Sequence, residues 1–348
     1  MAELPNSNFI ALIMAGGSGT RFWPMSQPDR PKQYLTLIGN RSLIQSTVDR
    51  LTEITSVNNI FICSGESQKT ILQKQLPEVS GLILEPLGRN TAPCLMLSVA
   101  TLLTQGAKPS TVMGVFPADH VIGNRRVFLE TLNSAIKEAE SSKELITLGI
   151  TPSYPHTGYG YIEAGEATGG GFFKVTKFIE KPSLEKAKQY ITSGNFFWNA
   201  GIFIWRLDAI AEAFEKYLPE EWEKVQASVK TNSTAKIYNQ LKSQPIDVAI
   251  LEKANNVRVI PAVDINWSDI GSWNALLEYH QSLTGKDNVI LSESLESTQI
   301  LDSHNCLIAS DSAKKIVLIG VENLIVIETE KGLLITHRTQ DQRVKEAK

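Results

Sequence analysis

The chain has 348 residues, 42% of them hydrophobic, and a net charge of -3, enough apolar material for one large domain plus a smaller one. So balanced a charge excludes a general nucleic-acid binder, which carries a basic field, and no apolar run is long enough to span a bilayer. The N-terminus has no basic segment followed by an apolar run, and the three cysteines, Cys63, Cys94 and Cys306, form no CxxC pair, so neither a signal peptide, a disulfide framework nor a zinc cluster is expected and the cytoplasm suits the chain best.

The first strand is expected at Phe9 to Met14, stopped by Gly16 and Gly17. An amphipathic helix around Ser42 to Leu51 follows, then a strand from Asn59 to Cys63, a helix near Gln68 to Gln75 and a strand from Gly81 to Leu84. Ala92 to Leu103 reads as a buried helix, Thr111 to Phe116 as a strand, Val127 to Ser141 as a helix and Leu145 to Gly149 as a strand. Strands alternating with helices imply an α/β fold with a Rossmann-like, mostly parallel sheet covered on both faces. Short, nearly continuous apolar strands are what such a sheet needs. After Pro152 extended segments at Tyr159 to Ala164 and Phe173 to Glu180 flank a turn at Gly169 to Gly171, so the sheet is mixed. Helices return at Ser183 to Ser193 and Leu207 to Tyr217, with a long polar helical region from Pro219 to Lys242 and a last helix from Trp273 to Gln281. From Asn288 to His337 the chain is almost all β-type, with apolar residues spaced by roughly six, the mark of a β-helix stub. Two domains are therefore expected, residues 1–285 and a small β domain at 286–348, with frayed charged residues from Arg338.

The clearest local signal is LIMAGGSGTRFWP, from Leu12 to Pro24, where a strand runs straight into glycines. Glycines let backbone N–H groups approach a polyphosphate and form an anion nest. Arg21 and Lys32 can then neutralise phosphate oxygens. The competing reading is a plain glycine-rich turn. No GxxxxGK string is present, which excludes the P-loop. Phe22 stands where the dinucleotide fingerprint needs its third glycine, and no acidic residue ends the second strand, so hydride chemistry with a nicotinamide cofactor is disfavoured.

GGSGTRFWP followed by RPKQYL (Arg30 to Leu35) resembles the mannose-1-phosphate guanylyltransferases, also called GDP-mannose pyrophosphorylases. EPLGRNTAP (Glu85 to Pro93), FPADHVI (Phe116 to Ile122), TGYGYIE (Thr157 to Glu163), FIEKP (Phe178 to Pro182), WNAGIFIW (Trp198 to Trp205) and WSDIGSW (Trp267 to Trp273) agree in the same order. The resemblance spans nearly the whole large domain. It implies transfer of GMP from GTP to mannose 1-phosphate, with magnesium and release of pyrophosphate. Bifunctional bacterial members carry an added isomerase domain, and this chain is expected to have a single activity.

Residue by residue, the resemblance implies a nucleotide site of Ala15, Gly16, Gly17, Gly19, Thr20, Arg21, Lys32, Glu85, Asn90, Thr91 and Ala92. Arg21 and Lys32 would grip the β- and γ-phosphates, Arg as a bidentate fork and Lys as a compact charge. Asp119 follows a strand, where open α/β sheets present ligand sites, and with Asp269 it would hold Mg2+. Either carboxylate could instead cap a turn or helix, and Asp119 could simply pair with His120. Glu85 can accept hydrogen bonds from guanine N1–H and the exocyclic amine, a pair of donors that adenine and uracil lack. It could also be an exposed loop acid, and Asn90 or Thr91 a helix cap. The sugar phosphate would meet Gly160, Glu180, Lys181 and Asn199, with Lys181 on the phosphate. Arg21, Lys32, Asp119, Lys181 and Asp269 are thus the catalytic candidates. The aromatic residues Phe196, Phe197, Trp198, Phe203 and Trp205 read as core or pocket wall.

A homodimer is expected, with GTP and mannose 1-phosphate as small-molecule partners and neither nucleic acid nor membrane. Transfer to a heptose 1-phosphate, thymidylyl or uridylyl transfer, and a non-catalytic nucleotide-sugar sensor are the alternatives. The presence of Arg21, Lys32, Asp119 and Asp269 speaks against the last.

Overall fold

The computed structural model describes residues 8–17, 19–291, 298–311 and 314–346; Ser18 of the glycine string lies outside them. The chain forms two compact units that interleave in sequence. The first comprises Met1–Gly16, Val48–Ala118 and Ile122–Trp267; the second comprises Gly17–Thr47, Asp119–Val121 and Ser268–Lys348. Among the described residues no helix is long and apolar enough to cross a membrane.

Along the chain the strands are β1 (Phe9–Met14), β2 (Ile60–Gly65), β3 (Gly81–Glu85), β4 (Val112–Pro117), the short β5 (Val121–Ile122), β6 (Leu145–Ile150), β7 (Tyr161–Gly169), β8 (Phe172–Ile179), β9 (Phe196–Arg206), β10 (Val257–Pro261) and the short β11 (Trp267–Ser268). The helices are α1 (Leu43–Leu51), α2 (Lys69–Gln75), α3 (Thr91–Thr104), α4 (Arg125–Ser141), α5 (Leu184–Ser193), α6 (Leu207–Tyr217), α7 (Pro219–Lys230), α8 (Thr234–Tyr238) and α9 (Trp273–Thr284).

In the first unit a nine-stranded sheet has the order β3-β2-β1-β4-β9-β6-β10-β8-β7. Strands β1, β2, β4 and β6 are buried at nearly every position, as a sheet covered on both faces requires. Helix α3 packs on β1 and β3, and α4 packs on β4, β6 and β9. The pairings among β1 to β4 are parallel. Strand β9 runs against both its neighbours β4 and β6, and β8 runs against β10 and β7, which makes the sheet mixed. Strand β9 contains the WNAGIFIW string, whose aromatic residues read from sequence as core or pocket wall; most of its residues are buried in the middle of the sheet.

The long polar helix expected over Pro219 to Lys242 is broken. Helix α7 stops at Lys230, and Asn232 takes a left-handed φ of 53° before α8 begins. Asn tolerates that conformation better than other side chains because its short amide bonds locally. A π-type turn then spans Asp247–Leu251.

In the second unit β12 (Val289–Ile290), β14 (Leu307–Ser310) and β16 (Leu324–Thr329) pair in parallel, as do β13 (Thr298–Leu301) and β15 (Ile316–Ile319), while β17 (Gly332–His337) closes antiparallel on β16. Val289 lies against Leu307 and Leu307 against Ile325. Equivalent positions recur every 18 residues, as in the Asn305–Asn323 side-chain bond. The loose spacing read from sequence is therefore a β-helical coil. Alternate residues divide between two cores. Cys306, Ile308, Leu318 and Val326 fill the coil. Leu307, Ala309, Ile325 and Ile327 pack outward on Leu35, Leu37, Trp273 and Leu277.

Asn305 locks this coil. Its carbonyl oxygen accepts from Gln281 at 2.9 Å and from Arg338 at 2.6 Å, and its amide donates to Asn323 at 2.5 Å. Its φ of 57° is left-handed. Asn305→Ala is expected to cost about 2 kcal/mol or more, from lost bonds and the unfavourable backbone. Asn305→Gly removes the same bonds but relieves the backbone, and is expected to cost ~1 kcal/mol less. Denaturant unfolding of both variants checks the difference.

Candidate active site

In the second unit the glycine loop ends in a tight turn, Thr20–Phe22, entered through Gly19 at a left-handed φ of 58°. A Cβ on Gly19 would lie 2.4 Å from the Lys32 backbone nitrogen, so only glycine permits this approach of the two segments. Lys32 is 6% exposed. Its ammonium lies 2.9 Å from Asp119 Oδ2 and also donates to the backbone carbonyl of Asp269. The Phe22 ring centroid, 5.6 Å from Lys32 Nζ, adds a cation–π contact. Arg21 donates through Nη1 to the carbonyl of Gly271 at 3.2 Å.

Arg21, Lys32, Asp119, His120 and Asp269 line one cavity of about 270 Å³ with Gly19, Thr20, Phe22 and Gly271. Burial works against the charged form of Asp119, but the charges of Lys32 and His120 and the Lys32 hydrogen bond outweigh it and hold the carboxyl below its usual range. Asp119 also accepts a backbone hydrogen bond, as a turn cap does. The N-cap of α9 is Ser272, whose hydroxyl accepts from the N–H of Ala275, so Asp269 is not needed there. Asp119 faces Lys32 as well as His120.

The donor set suits magnesium, which takes one or two protein carboxylates and completes its shell with water and phosphate. The ammonium of Lys32 already rests against the Asp119 carboxylate and the backbone carbonyl of Asp269, so the cavity stabilises positive charge.

In the first unit Ala15 donates its N–H to the carbonyl of Cys63 at 2.8 Å, which fixes the start of the loop on β2. Glu85 ends β3 and is buried. A Cβ on Gly16 would lie 3.5 Å from Glu85 Oε2, so the loop backbone borders this carboxylate. Tyr238 donates to the other oxygen, Oε1, at 2.5 Å. Burial raises the Glu85 carboxyl and the Tyr238 bond partly opposes this. Glu85 is therefore a buried, oriented acid and not the exposed loop acid weighed from sequence. Asn90 caps α3, accepting from Thr91 N–H at 2.8 Å with φ 70°. Thr91 Oγ1 accepts from Ile246 N–H at 2.8 Å, and the buried Ala92 donates its N–H to the carbonyl of Gln244. The cap reading of Asn90 thus holds, and Thr91 and Ala92 anchor a distant strap.

Spacing along the chain offers no reason to pair the cysteines, yet the fold brings Cys63 and Cys94 together beside Glu85. The hydrogen bond to Cys63 and burial push the Cys94 thiol up.

Also in the first unit, Gly160, Glu180 and Asn199 meet. A Cβ on Gly160 would lie 3.0 Å from Glu180 Oε2 and 3.5 Å from Asn199 Cβ. Lys181 pairs with Glu180 and takes a left-handed φ of 46°. The Asn199 carbonyl oxygen accepts from Gly201 N–H at 3.0 Å, and its amide donates to Asp247 Oδ1 at 2.6 Å. Neither Asp247 nor Tyr238 is singled out by the sequence: Tyr238 lies in the polar stretch Pro219 to Lys242, and Asp247 stands alone in the apolar run Ile246 to Leu251. The strap Gln244–Asp247 joins the first turn of α3 at one end and Asn199 at the other.

Burial raises Asp247 to about 6, with the charge of Glu180 adding to it, against bonds from its own backbone and from Asn199 that lower it. An unfolded Asp titrates near ~3.9, so the folded state holds this proton more tightly. The stabilisation it contributes is complete below about pH 4 and is lost as pH rises through about 6. Thermal unfolding should show wild type losing more stability than Asp247→Asn between about pH 4 and about pH 7. Parallel curves would contradict the assignment.

Known proteins resemble this chain in sequence and fold. Residues 10–286 match the family model described as nucleotidyl transferase, and residues 299–347 match a MannoseP isomerase/GMP-like beta-helix domain. Mannose-1-phosphate guanylyltransferase of Escherichia coli is 36% identical over 97% of this chain and 73% of its own length. The Klebsiella pneumoniae enzyme of the same name is likewise 36% identical, over 97% of this chain and 73% of its own. The crystal structure of mannose-1-phosphate geranyltransferase from Thermus thermophilus superposes with a TM-score of 0.88 and 33% identity, covering 98% of each chain. The chain belongs to the nucleotidyl transferase family, among the relatives of the mannose-1-phosphate guanylyltransferases.

Proposed function

We propose that the chain transfers GMP from GTP to mannose 1-phosphate, forming GDP-mannose and pyrophosphate. The observation that carries this reading is the convergence of Arg21, Lys32, Asp119 and Asp269 on one cavity, in a chain whose relatives are named for that transfer. A phosphate oxygen of the sugar attacks the α-phosphorus in line, and pyrophosphate leaves. That oxygen is already anionic near neutral pH, so no general base is needed and catalysis rests on positioning and electrostatics.

Arg21 and Lys32 neutralise the β- and γ-phosphates and the departing pyrophosphate. Asp119 and Asp269 would hold Mg2+, which when bound neutralises charge across the phosphates. The backbone of Ala15, Gly16, Gly17, Gly19 and Thr20 offers N–H donors to the triphosphate. Glu85 reads guanine N1–H and the exocyclic amine, oriented by Tyr238; Asn90, Thr91 and Ala92 support it at the start of α3. Gly160, Glu180 and Asn199 hold the sugar hydroxyls, with Asn199 oriented by Asp247, and Lys181 takes the sugar phosphate. We assign this chemistry to residues 1–285 and assembly to residues 286–348. The exposed apolar residues Leu301, Val317, Ile319, Leu333 and Ile335 support a homodimer through that end.

Pyrophosphate release with magnesium, for each nucleoside triphosphate against mannose, glucose and heptose 1-phosphates, tests the function. Release with GTP and mannose 1-phosphate alone is expected. Release with another pair would overturn the specificity, and no release with any pair would overturn the activity. Asp119→Asn is expected to lower kcat by roughly 100-fold or more with the fold intact. Unchanged turnover and magnesium dependence would remove Asp119 from the metal. Glu85→Gln is expected to narrow the preference for GTP, and an unchanged preference would remove Glu85 from the base.

A further inference from the structure

Cys63 lies in β2, Glu85 ends the neighbouring β3, and Cys94 sits in the first turn of α3. Parallel pairing of β2 with β3 aligns Gly65 with Glu85 and brings the three side chains to one end of the sheet. One ligand atom from each lies within 4.8 Å of the others, and all three residues are buried. Among the described residues this is the one place where three such donors converge. Two buried thiols alone would pass as small apolar side chains. A carboxylate buried beside them is different, because burying an acid costs free energy that a partner must offset.

The donor set identifies the kind of partner. Two thiolates and a carboxylate select zinc or a heavier thiophilic ion and not magnesium. Zinc takes four donors, and three from the protein leave one place for water. With Zn–S bonds of ~2.3 Å, two thiolates sit ~3.8 Å apart, a separation that falls inside the 4.8 Å span holding these donors. The Tyr238 hydroxyl, bonded to Glu85 Oε1, orients the carboxylate and leaves Oε2 turned toward the Gly16 backbone.

We propose that Cys63, Cys94 and Glu85 form a site for a thiophilic divalent cation that competes with the nucleotide base for Glu85. Each thiol releases its proton to solvent, each sulfur and one carboxylate oxygen give a lone pair to the cation, and nothing is oxidised. The competition rests on the assignment of Glu85 to guanine; the cation site does not. Occupancy makes nucleotidyl transfer sensitive to free zinc.

Cadmium is the probe, titrated into the full chain in a phosphine reductant and followed by thiolate-to-metal absorption in the ultraviolet. A saturable band at one ion per chain is expected, retained in Cys306→Ser and lost in Cys63→Ser and Cys94→Ser. Both of those variants should keep wild-type turnover without cadmium and need roughly 10-fold more of it for half-inhibition. A wild-type chain that gives no band overturns the site whatever the variants do. A band that survives in both Cys63→Ser and Cys94→Ser overturns it too. A cysteine-dependent band that saturating GTP fails to displace leaves the cation site standing and overturns the base assignment of Glu85.

Discussion

The chemistry of the second unit hangs on one buried ammonium. Lys32 is almost wholly out of solvent, where an unpaired charge would be prohibitive. It is satisfied by Asp119 and by the carbonyl of Asp269, residues distant in sequence. That junction ties the Asp119 carboxylate and the backbone of Asp269 to a single side chain. Gly19 is part of the same constraint, since any Cβ there would collide with the backbone of Lys32. The arrangement is also a charge balance. The charge of Lys32 lowers the Asp119 carboxyl against the desolvation that raises it, and an ionised carboxylate is what a hard cation requires.

The first unit uses a different device. Two of its acids are held by neutral donors: Glu85 by Tyr238, and Asp247 by Asn199. Burial raises both carboxyls. The strap Gln244–Asp247 bonds to the start of α3 and to Asn199. Displacement of the strap would therefore disturb the cap end of α3 and the amide of Asn199 together. A π-type turn begins at Asp247 itself, a local irregularity of the kind that often marks functional positions.

Much of this was legible in the sequence because local signals agreed with the global fold. Near-continuous apolar runs marked β1, β2, β4 and β6, and Gly-rich punctuation marked the loop. Arg21, Lys32, Asp119 and Asp269 lie in strings that resemble one family, and the fold brings them to one cavity. What could not be read depends on tertiary pairing. Strand β9 was hidden because Trp-Asn-Ala-Gly has no strand periodicity, and its place in the sheet comes from antiparallel pairing with β4 and β6. Tyr238 and Asp247 carry no spacing signal; each matters only through the one side chain it touches. Cys63 and Cys94 are separated in sequence and meet only because β2 and β3 pair and α3 starts above them.

The most direct measurement of this account is pyrophosphate release by Lys32→Met, read beside the titration of the Asp119 carboxyl by NMR. Without the ammonium, burial is left to act on Asp119, so its carboxyl should titrate higher than in wild type. Turnover with GTP and mannose 1-phosphate should fall by roughly 100- to 1,000-fold. A variant that kept wild-type turnover and an unshifted Asp119 would contradict the claim that this one charge organises the site.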